Sequence, residues 1–246
     1  MELGVYEVEA QVEATHWWFR GRRRILRGLL DAALGSSHDL RTLDVGFGTG
    51  ANAPVLAARS RTLVGVDFSA DALVQGRQRH ALYTAVVAGD VLALPFRDGS
   101  FELVTALDLL EHLDDDDRGV AELLRVVAPG GLLIVFVPAH AWLWGLHDDL
   151  AHHRRRYTAA SLRALFADHP DELERLTSFN LLLLPPIFVA RQVLNLVRPR
   201  QLRSENQING PLLNLLLSGL FALEAPWLAR RDLPLGVSLV AVVRRR

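Results

Sequence analysis

The stretch that most constrains this chain is Asp44-Val45-Gly46-Phe47-Gly48-Thr49-Gly50, which closes a short apolar run, Leu40 to Val45, that reads as a buried strand. A strand that turns at once into a helix needs unusual backbone dihedrals, and glycine adopts them without steric cost. Glycine also lets the backbone come close to a ligand at the carboxyl end of a strand. The spacing narrows the ligand. Dinucleotide loops read G-x-G-x-x-G, whereas this one reads G-x-G-x-G behind an acid, which suits a nucleoside cofactor with cationic groups and no pyrophosphate.

Beyond the glycine loop the chain keeps an α/β rhythm. Leu63 to Asp67 is a second apolar strand ending in an acid, 23 residues after Asp44, where a carboxylate can accept from both hydroxyls of a ribose. A third strand, Ala85 to Ala88, runs into Gly89-Asp90-Val91. Then come Leu94-Pro95-Phe96, the run Asp98 to Val104, Ala106 to Leu113 with its Glu111-His112 pair, and Arg125 to Gly131 before a strand from Leu132 to Val137. Over roughly residues 40 to 140 this ordered set resembles class I S-adenosylmethionine (SAM) dependent methyltransferases of the ubiquinone and menaquinone biosynthesis type. Phe47 departs from the small residue or cysteine often found at its place in that family, which bears on loop packing.

The resemblance implies an α/β, Rossmann-like class I methyltransferase sheet, mostly parallel with the last strand antiparallel. It also implies SAM as cofactor and S-adenosyl-L-homocysteine as its product. Its cofactor set carries over to Arg22, Asp44, Gly46, Gly48, Asp67, Phe68, Asp90, Val91 and Leu107. Asp90 would accept from the adenine amino group while the next backbone N–H meets a ring nitrogen. An N-terminal helix from His16 to about Leu34 would fold over the cofactor, with Arg22 aligned to the arginine that meets its carboxylate. An arginine fork fits a carboxylate by geometry, and the faces of Trp17 and Trp18 suit a sulfonium cation. A packed amphipathic helix with a solvated basic face is the competing reading of the same segment.

A second constellation comes after the fifth strand: His140, Trp142, Trp144, His147-Asp148-Asp149, then His152-His153-Arg154-Arg155-Arg156-Tyr157-Thr158. Open α/β sheets place ligands at the carboxyl ends of central strands, so the segment is expected on the acceptor side. His140, Trp144 and Tyr157 join Trp17 and Trp18 as candidate acceptor contacts, and Thr158 caps a helix over Ala159 to Ala167. His147 is the preferred base, because imidazole titrates near neutrality and Asp148 would raise its basicity. His112 is its rival. No metal site is expected, since these histidines lack the paired spacing of a zinc helix and SAM chemistry needs no ion. Asp114 to Asp117 reads as a solvated acidic run at a helix start.

Composition excludes other chemistries. With no cysteine there is no thiolate nucleophile and no iron-sulfur cluster. All 27 basic residues are arginine, so lysine Schiff bases are excluded too. A net charge of -1 gives no global field toward nucleic acid. At 246 residues a single domain is the economical reading: an N-terminal cap (1–39), a SAM-binding core (40–140), an acceptor-side loop, helix and strand (141–180), a helical insertion (181–232) and a last strand (233–246). Terminal strands are expected at Leu173 to Phe179 and Gly236 to Val243. The start lacks a basic n-region and an apolar h-region, which reads as cytoplasmic.

In the insertion, Asn180 to Arg191 and Pro211 to Ala229 are apolar and flank a polar break, Arg198 to Asn209. Pro185-Pro186, Arg191, Asn214, Glu224 and Pro226 argue against a membrane span. Closure of a greasy pocket and a homodimer contact are favoured over membrane contact. The function expected is methyl transfer to an oxygen or nitrogen of a hydrophobic or aromatic small molecule, of the kind made in bacterial natural-product biosynthesis. A nicotinamide-dependent oxidoreductase and a non-catalytic SAM-binding or membrane-associated partner protein are the alternatives.

Overall fold

The computed structural model describes residues 10–79, 81–169, 171–197, 210–228 and 231–246. The expected polar break, Arg198 to Asn209, and the first nine residues lie outside them. Seven strands form one sheet in the order β3-β2-β1-β4-β5-β7-β6. They are β1 (Leu40–Val45), β2 (Ser60–Asp67), β3 (Ala85–Ala88), β4 (Phe101–Leu107), β5 (Val127–Pro138), β6 (Glu172–Phe179) and β7 (Ser238–Arg244). β1 to β5 pair in parallel, while β7 runs antiparallel to both β5 and β6. Strand β5 is buried from Leu132 to Pro138 and reads there as a continuous apolar run, while β1 and β4 are buried as well but carry Thr42, Asp44 and Thr105 inside.

Chain direction along the sheet reverses between β1 and β4, and a crevice opens there at the carboxyl ends of the strands. On one face of the sheet, α4 (Asp116–Val126) and α6 (Ala159–Ala164) pack Val120, Leu123, Leu124 and Leu162 onto Leu43, Val104, Leu133 and Val135. On the other, α1 (Trp17–Leu34) lays down Ile25, Leu26, Leu29 and Leu30, a helical spacing that puts all four on one side. Two short helices, α2 (Ala53–Ala57) and α3 (Ala70–Arg79), come after the first two strands, and α5 (Leu146–Leu150) after the fifth.

The segment before β7 is two helices, α7 (Leu184–Val197) and α8 (Pro211–Leu228). Phe221 of α8 lies in the groove of α1, 5.8 Å from the Trp17 ring and 5.9 Å from that of Trp18. Gly21 makes the approach feasible, since a Cβ there would stand 2.0 Å from Phe221 Cδ1. So the aromatic cap is first of all a packing surface for α8. The Phe47 departure is likewise absorbed by small neighbours. Its ring rests against Tyr83 at 5.0 Å and over Gly65 and Gly76, where any Cβ would collide with it.

Two expectations need correction here. The acidic run is only partly solvated: Asp115 caps α4 through Arg118 N–H, but Asp116 is buried and accepts from Tyr157 Oη at 2.8 Å and from Arg155. The helix capped by Thr158 ends at Ala164, three residues earlier than expected.

Candidate active site

The crevice widens into a cavity of about 1240 Å³. That exceeds the roughly 300 to 1000 Å³ of a single small-molecule site, so it has room for a cofactor and an acceptor together. One wall is the set of strand ends. Gly46, Gly48 and Gly50 all have positive φ, which turns the loop sharply after β1 and leaves it flush with the cavity. Asp67 ends β2 with one carboxylate oxygen on Gly48 N–H and the other on Ser69 N–H, both at 2.9 Å. Burial pushes its pKa up while those two bonds oppose the shift. Each oxygen keeps a lone pair that a hydroxyl can use, so the position fits a ribose. Phe68, Asp90, Val91 and Leu107 line the same wall.

Asp44 does not. It is 1% exposed, and its carboxylate is taken by Tyr83 Oη at 2.7 Å and Thr105 Oγ1 at 2.8 Å beneath the loop. Burial raises its pKa to about 6 against those bonds. The motif acid therefore braces the glycine loop from below; in this structure it faces protein, and the expected cofactor contact is corrected to a supporting one.

The cap forms the roof. Thr49 of the glycine loop hydrogen-bonds the Glu13 carboxylate, and Arg23 donates to the Glu13 carbonyl oxygen at 2.9 Å. Arg22 reaches the cavity and pairs with Asp108 at 2.5 Å, its guanidinium 5.8 Å from the Trp18 ring and 5.7 Å from that of Phe136. Asp108 sits at a positive φ, an uncommon backbone state for a residue with a Cβ. Trp17 and Trp18 also line the cavity while packing on Phe221.

The acceptor side differs most from expectation. His140, Trp144 and Tyr157 are not among the cavity-lining residues. His140 turns away at φ +59 to stack on Trp142, Trp144 Nε1 donates to Asp149 at 2.8 Å, and Tyr157 is tethered to Asp116. His147 and His112 do line the cavity. Burial, with His153 second, lowers each pKa to about 3, so both are neutral imidazoles.

Nor does Asp148 serve His147. Its carboxylate accepts from His153 Nδ1 at 2.8 Å, from Arg156 Nε and Nη2 at 2.9 Å each, and from Gly145 N–H at 2.8 Å. Burial alone would push the Asp148 carboxyl up, but His153 and Arg156 together hold it well below the usual range. An ionised acceptor fixes the His153 tautomer with the proton on Nδ1 and leaves the Nε2 lone pair for the cavity, which His153 lines. Its Nε2 stands 4.0 Å from Glu111 Oε1. Glu111 is fully buried, and neither carboxylate oxygen has a hydrogen-bond partner among the described residues. Burial first, and Asp108 second, raise its pKa well above the carboxylate range.

Glu111, His112 and His153 bring one donor atom each within 4.8 Å of one another. No sequence signal announces that grouping. The Glu-His pair and the second His of His152-His153 are 41 residues apart, and only the turn Leu110–His112 at the end of β4 carries them together.

Residues 43–135 match the family model described as a methyltransferase domain. With the sheet order and the glycine loop, that match places a methyltransferase domain at residues 43–135, on a sheet of the class I methyltransferase fold. Among curated relatives, a demethylmenaquinone methyltransferase of Renibacterium salmoninarum is 38% identical over 120 residues, 49% of this chain and 50% of that one. The chain thus spans about half the length of the curated relatives it matches first. Among solved structures, a SAM-dependent methyltransferase from Thermotoga maritima superposes with a TM-score of 0.56 at 17% identity, over 98% of this chain and 100% of that one. The [4+2]-cyclase SpnF superposes with a TM-score of 0.57 at 21% identity, over 90% and 81%. Likeness at that identity shows the fold alone, and the cyclase illustrates that one fold carries more than one named activity.

Proposed function

We propose that the protein transfers the methyl group of SAM to an oxygen or nitrogen atom of a hydrophobic or aromatic small molecule. The observation that carries the reading is the cavity: a glycine loop and two strand-end carboxylates, Asp67 and Asp90, on one wall, and a largely apolar wall from α7 and α8 facing them. SAM, when bound, supplies a sulfonium-activated methyl group; the acceptor lone pair forms the new bond to carbon as the carbon–sulfur bond breaks and its electrons return to sulfur.

The chain's own residues then have defined tasks. Asp67 and Asp90 hold the nucleoside, and Arg22, released from Asp108 or shared with it, meets the carboxylate of the amino-acid tail. Trp18 and the cap exclude water. The acceptor proton passes to His153 Nε2, and Asp148 stabilises the imidazolium that results. His153 replaces His147 as the base because it has a carboxylate behind it, whereas burial keeps His147 and His112 neutral to about pH 3.

Relatives named for a demethylmenaquinone substrate support an apolar ring acceptor, and a place in bacterial natural-product biosynthesis is part of the same proposal. Calorimetric titration with SAM, S-adenosylhomocysteine and NADH tests the cofactor half. Micromolar binding of the two adenosyl ligands and none of NADH is expected. Binding of NADH alone would replace this reading with an oxidoreductase.

A further inference from the structure

The two helices of the insertion are built inside out. A helix that faces water buries apolar residues and exposes polar ones, as α4 does: Val120, Leu123 and Leu124 point inward while Asp117 and Arg118 are exposed. α8 reverses this. Its three polar side chains all turn toward the protein. Asn214 accepts from Trp17 N–H at 2.7 Å and donates to the Thr15 carbonyl oxygen at 2.9 Å. Ser218 is buried, and the Glu224 carboxylate accepts from Asn180 N–H at 2.7 Å and Leu182 N–H at 2.5 Å.

The outer face of α8 is apolar throughout. Leu212, Leu215, Leu216, Leu223 and Trp227 are each between 58% and 71% exposed. α7 repeats the arrangement with one exception. Arg191 donates inward to the Leu143 carbonyl oxygen at 2.7 Å and Asn195 to that of Trp144 at 3.1 Å, while Val189, Val193 and Leu196 face out beside the single exposed polar residue, Gln192. Scattered exposed leucines are ordinary, but an apolar outward face on each of two successive helices, with the polar side chains of both, Gln192 apart, turned inward, marks contact with an apolar medium.

We infer that the outer face of α7 and α8 docks on an anionic lipid bilayer, with both helices lying in the interface. The face is suited to the surface and not to a span, because the inner stripe of α8 is committed to α1, whose own sequence carries Arg20, Arg22, Arg23, Arg24 and Arg27. Charge selects an anionic surface. Directly after α8, Arg231 stands beside the exposed Trp227 of the outer face, and the adjacent Asp232 is taken up by Arg175 at 2.7 Å, which leaves the arginine to an anionic headgroup. The Arg231 guanidinium lies 5.9 Å from the Trp227 ring, an amphipathic pair of the kind found at membrane interfaces.

The cavity favours a bilayer over a second copy of this chain. Leu213 of α8 is both exposed and part of the cavity wall, which Ile187, Ala190, Leu194 and Leu217 continue inward. A bilayer on this face would place that apolar wall next to lipid, whereas a partner subunit would cover it. The docking inference rests on the sidedness of the helices and stands or falls apart from methyl transfer.

Flotation of the purified full chain with vesicles tests it. The protein is expected to rise with phosphatidylglycerol–phosphatidylcholine vesicles, far less with phosphatidylcholine alone, and less in high salt. The double variant Leu215→Asp, Leu223→Asp should stay at the bottom of the gradient with its SAM titration unchanged, since both residues are exposed and neither lines the cavity. Brominated lipids should quench tryptophan emission of the unaltered protein, which needs no variant. Absence of both flotation and quenching would overturn the inference. So would a sedimenting dimer of the unaltered chain that the double variant converts to monomer without any lipid binding, which would give the face to a second copy. In either case SAM binding remains as a separate readout of the methyl-transfer reading.

Discussion

The two walls of the cavity are assembled over different distances along the chain. On the cofactor wall, Gly48 and Asp67, 19 residues apart, are joined through adjacent parallel strands. Each strand end delivers its group a few residues after a recognisable apolar run. On the acceptor wall the contacts are long or unpatterned: Trp17 with Asn214 across 197 residues, Arg191 with Leu143 across 48, Glu111 facing His153. A wall built from consecutive βα units repeats a local rule. A wall built from an insertion and a returning loop obeys only the packing of this particular chain.

That contrast can be broken most sharply at His153. His153→Asn should lower methyl transfer by about 100-fold while leaving SAM affinity intact, in keeping with the loss of a general base. His147→Asn should do far less. Equal losses, read as kcat/KM at saturating SAM, would return the base to the pair expected from sequence. A shift of SAM affinity in either variant would mean that the two walls are not separable.

Asp67→Ala probes the other wall. It removes both ribose hydrogen bonds and also leaves Gly48 N–H without its acceptor, so SAM binding should weaken by about 2 to 3 kcal/mol, or roughly 30- to 150-fold, by calorimetry. Asp44→Asn should act differently: it should lower the melting temperature more than it changes SAM affinity, because its carboxylate faces Tyr83 and Thr105. An affinity loss equal to that of Asp67→Ala would restore Asp44 to the cofactor.

Acidification tests how deeply the histidines are built in. His16, with a pKa lowered to about 4 by burial, and His112 and His147, each lowered to about 3, stay neutral in the folded state below the unfolded value of 6.5. The unfolded chain then binds more protons, so stability falls as pH drops through 6.5. Asp44 and Glu111 act with the opposite sign. The folded pKa of Asp44, about 6, lies above the unfolded 3.8, and that of Glu111 lies well above 4.5, so the folded state holds their protons in that window. The three histidines thus make stability fall between roughly pH 6.5 and 5, measured as a fall in melting temperature, and the two carboxyls offset part of that fall. A flat profile would mean that these rings are hydrated.

The smallest expected effect is that of a chelator. Glu111, His112 and His153 have the donor set of a divalent transition-metal site, but the proposed transfer does not use an ion. Activity after exhaustive EDTA treatment should be unchanged. A loss restored by one added metal would assign the triad to that metal and withdraw the base role from His153.

Much of this molecule was legible in the chain alone. Apolar runs and their spacing placed β1 to β3, the glycine turn and the acids that follow β2 and β3, because strands buried in a parallel sheet write themselves as short hydrophobic stretches ending near the residues that meet a ligand; the direction of the final strand came from the family resemblance. The chain also carried the inward polar and outward apolar residues of α7 and α8, but as mere greasiness. Only the tertiary structure decided which way they face, since a helix has no inside until α1 packs against it. It also decided that Asp44 braces the loop, that Tyr157 and Trp144 bond to neighbouring carboxylates, and that Asp148 stands behind His153. A side chain's direction after a strand end depends on the loop's return path, and here that path is closed by Asp116, Arg156 and Arg191, residues whose own spacing has no period to read.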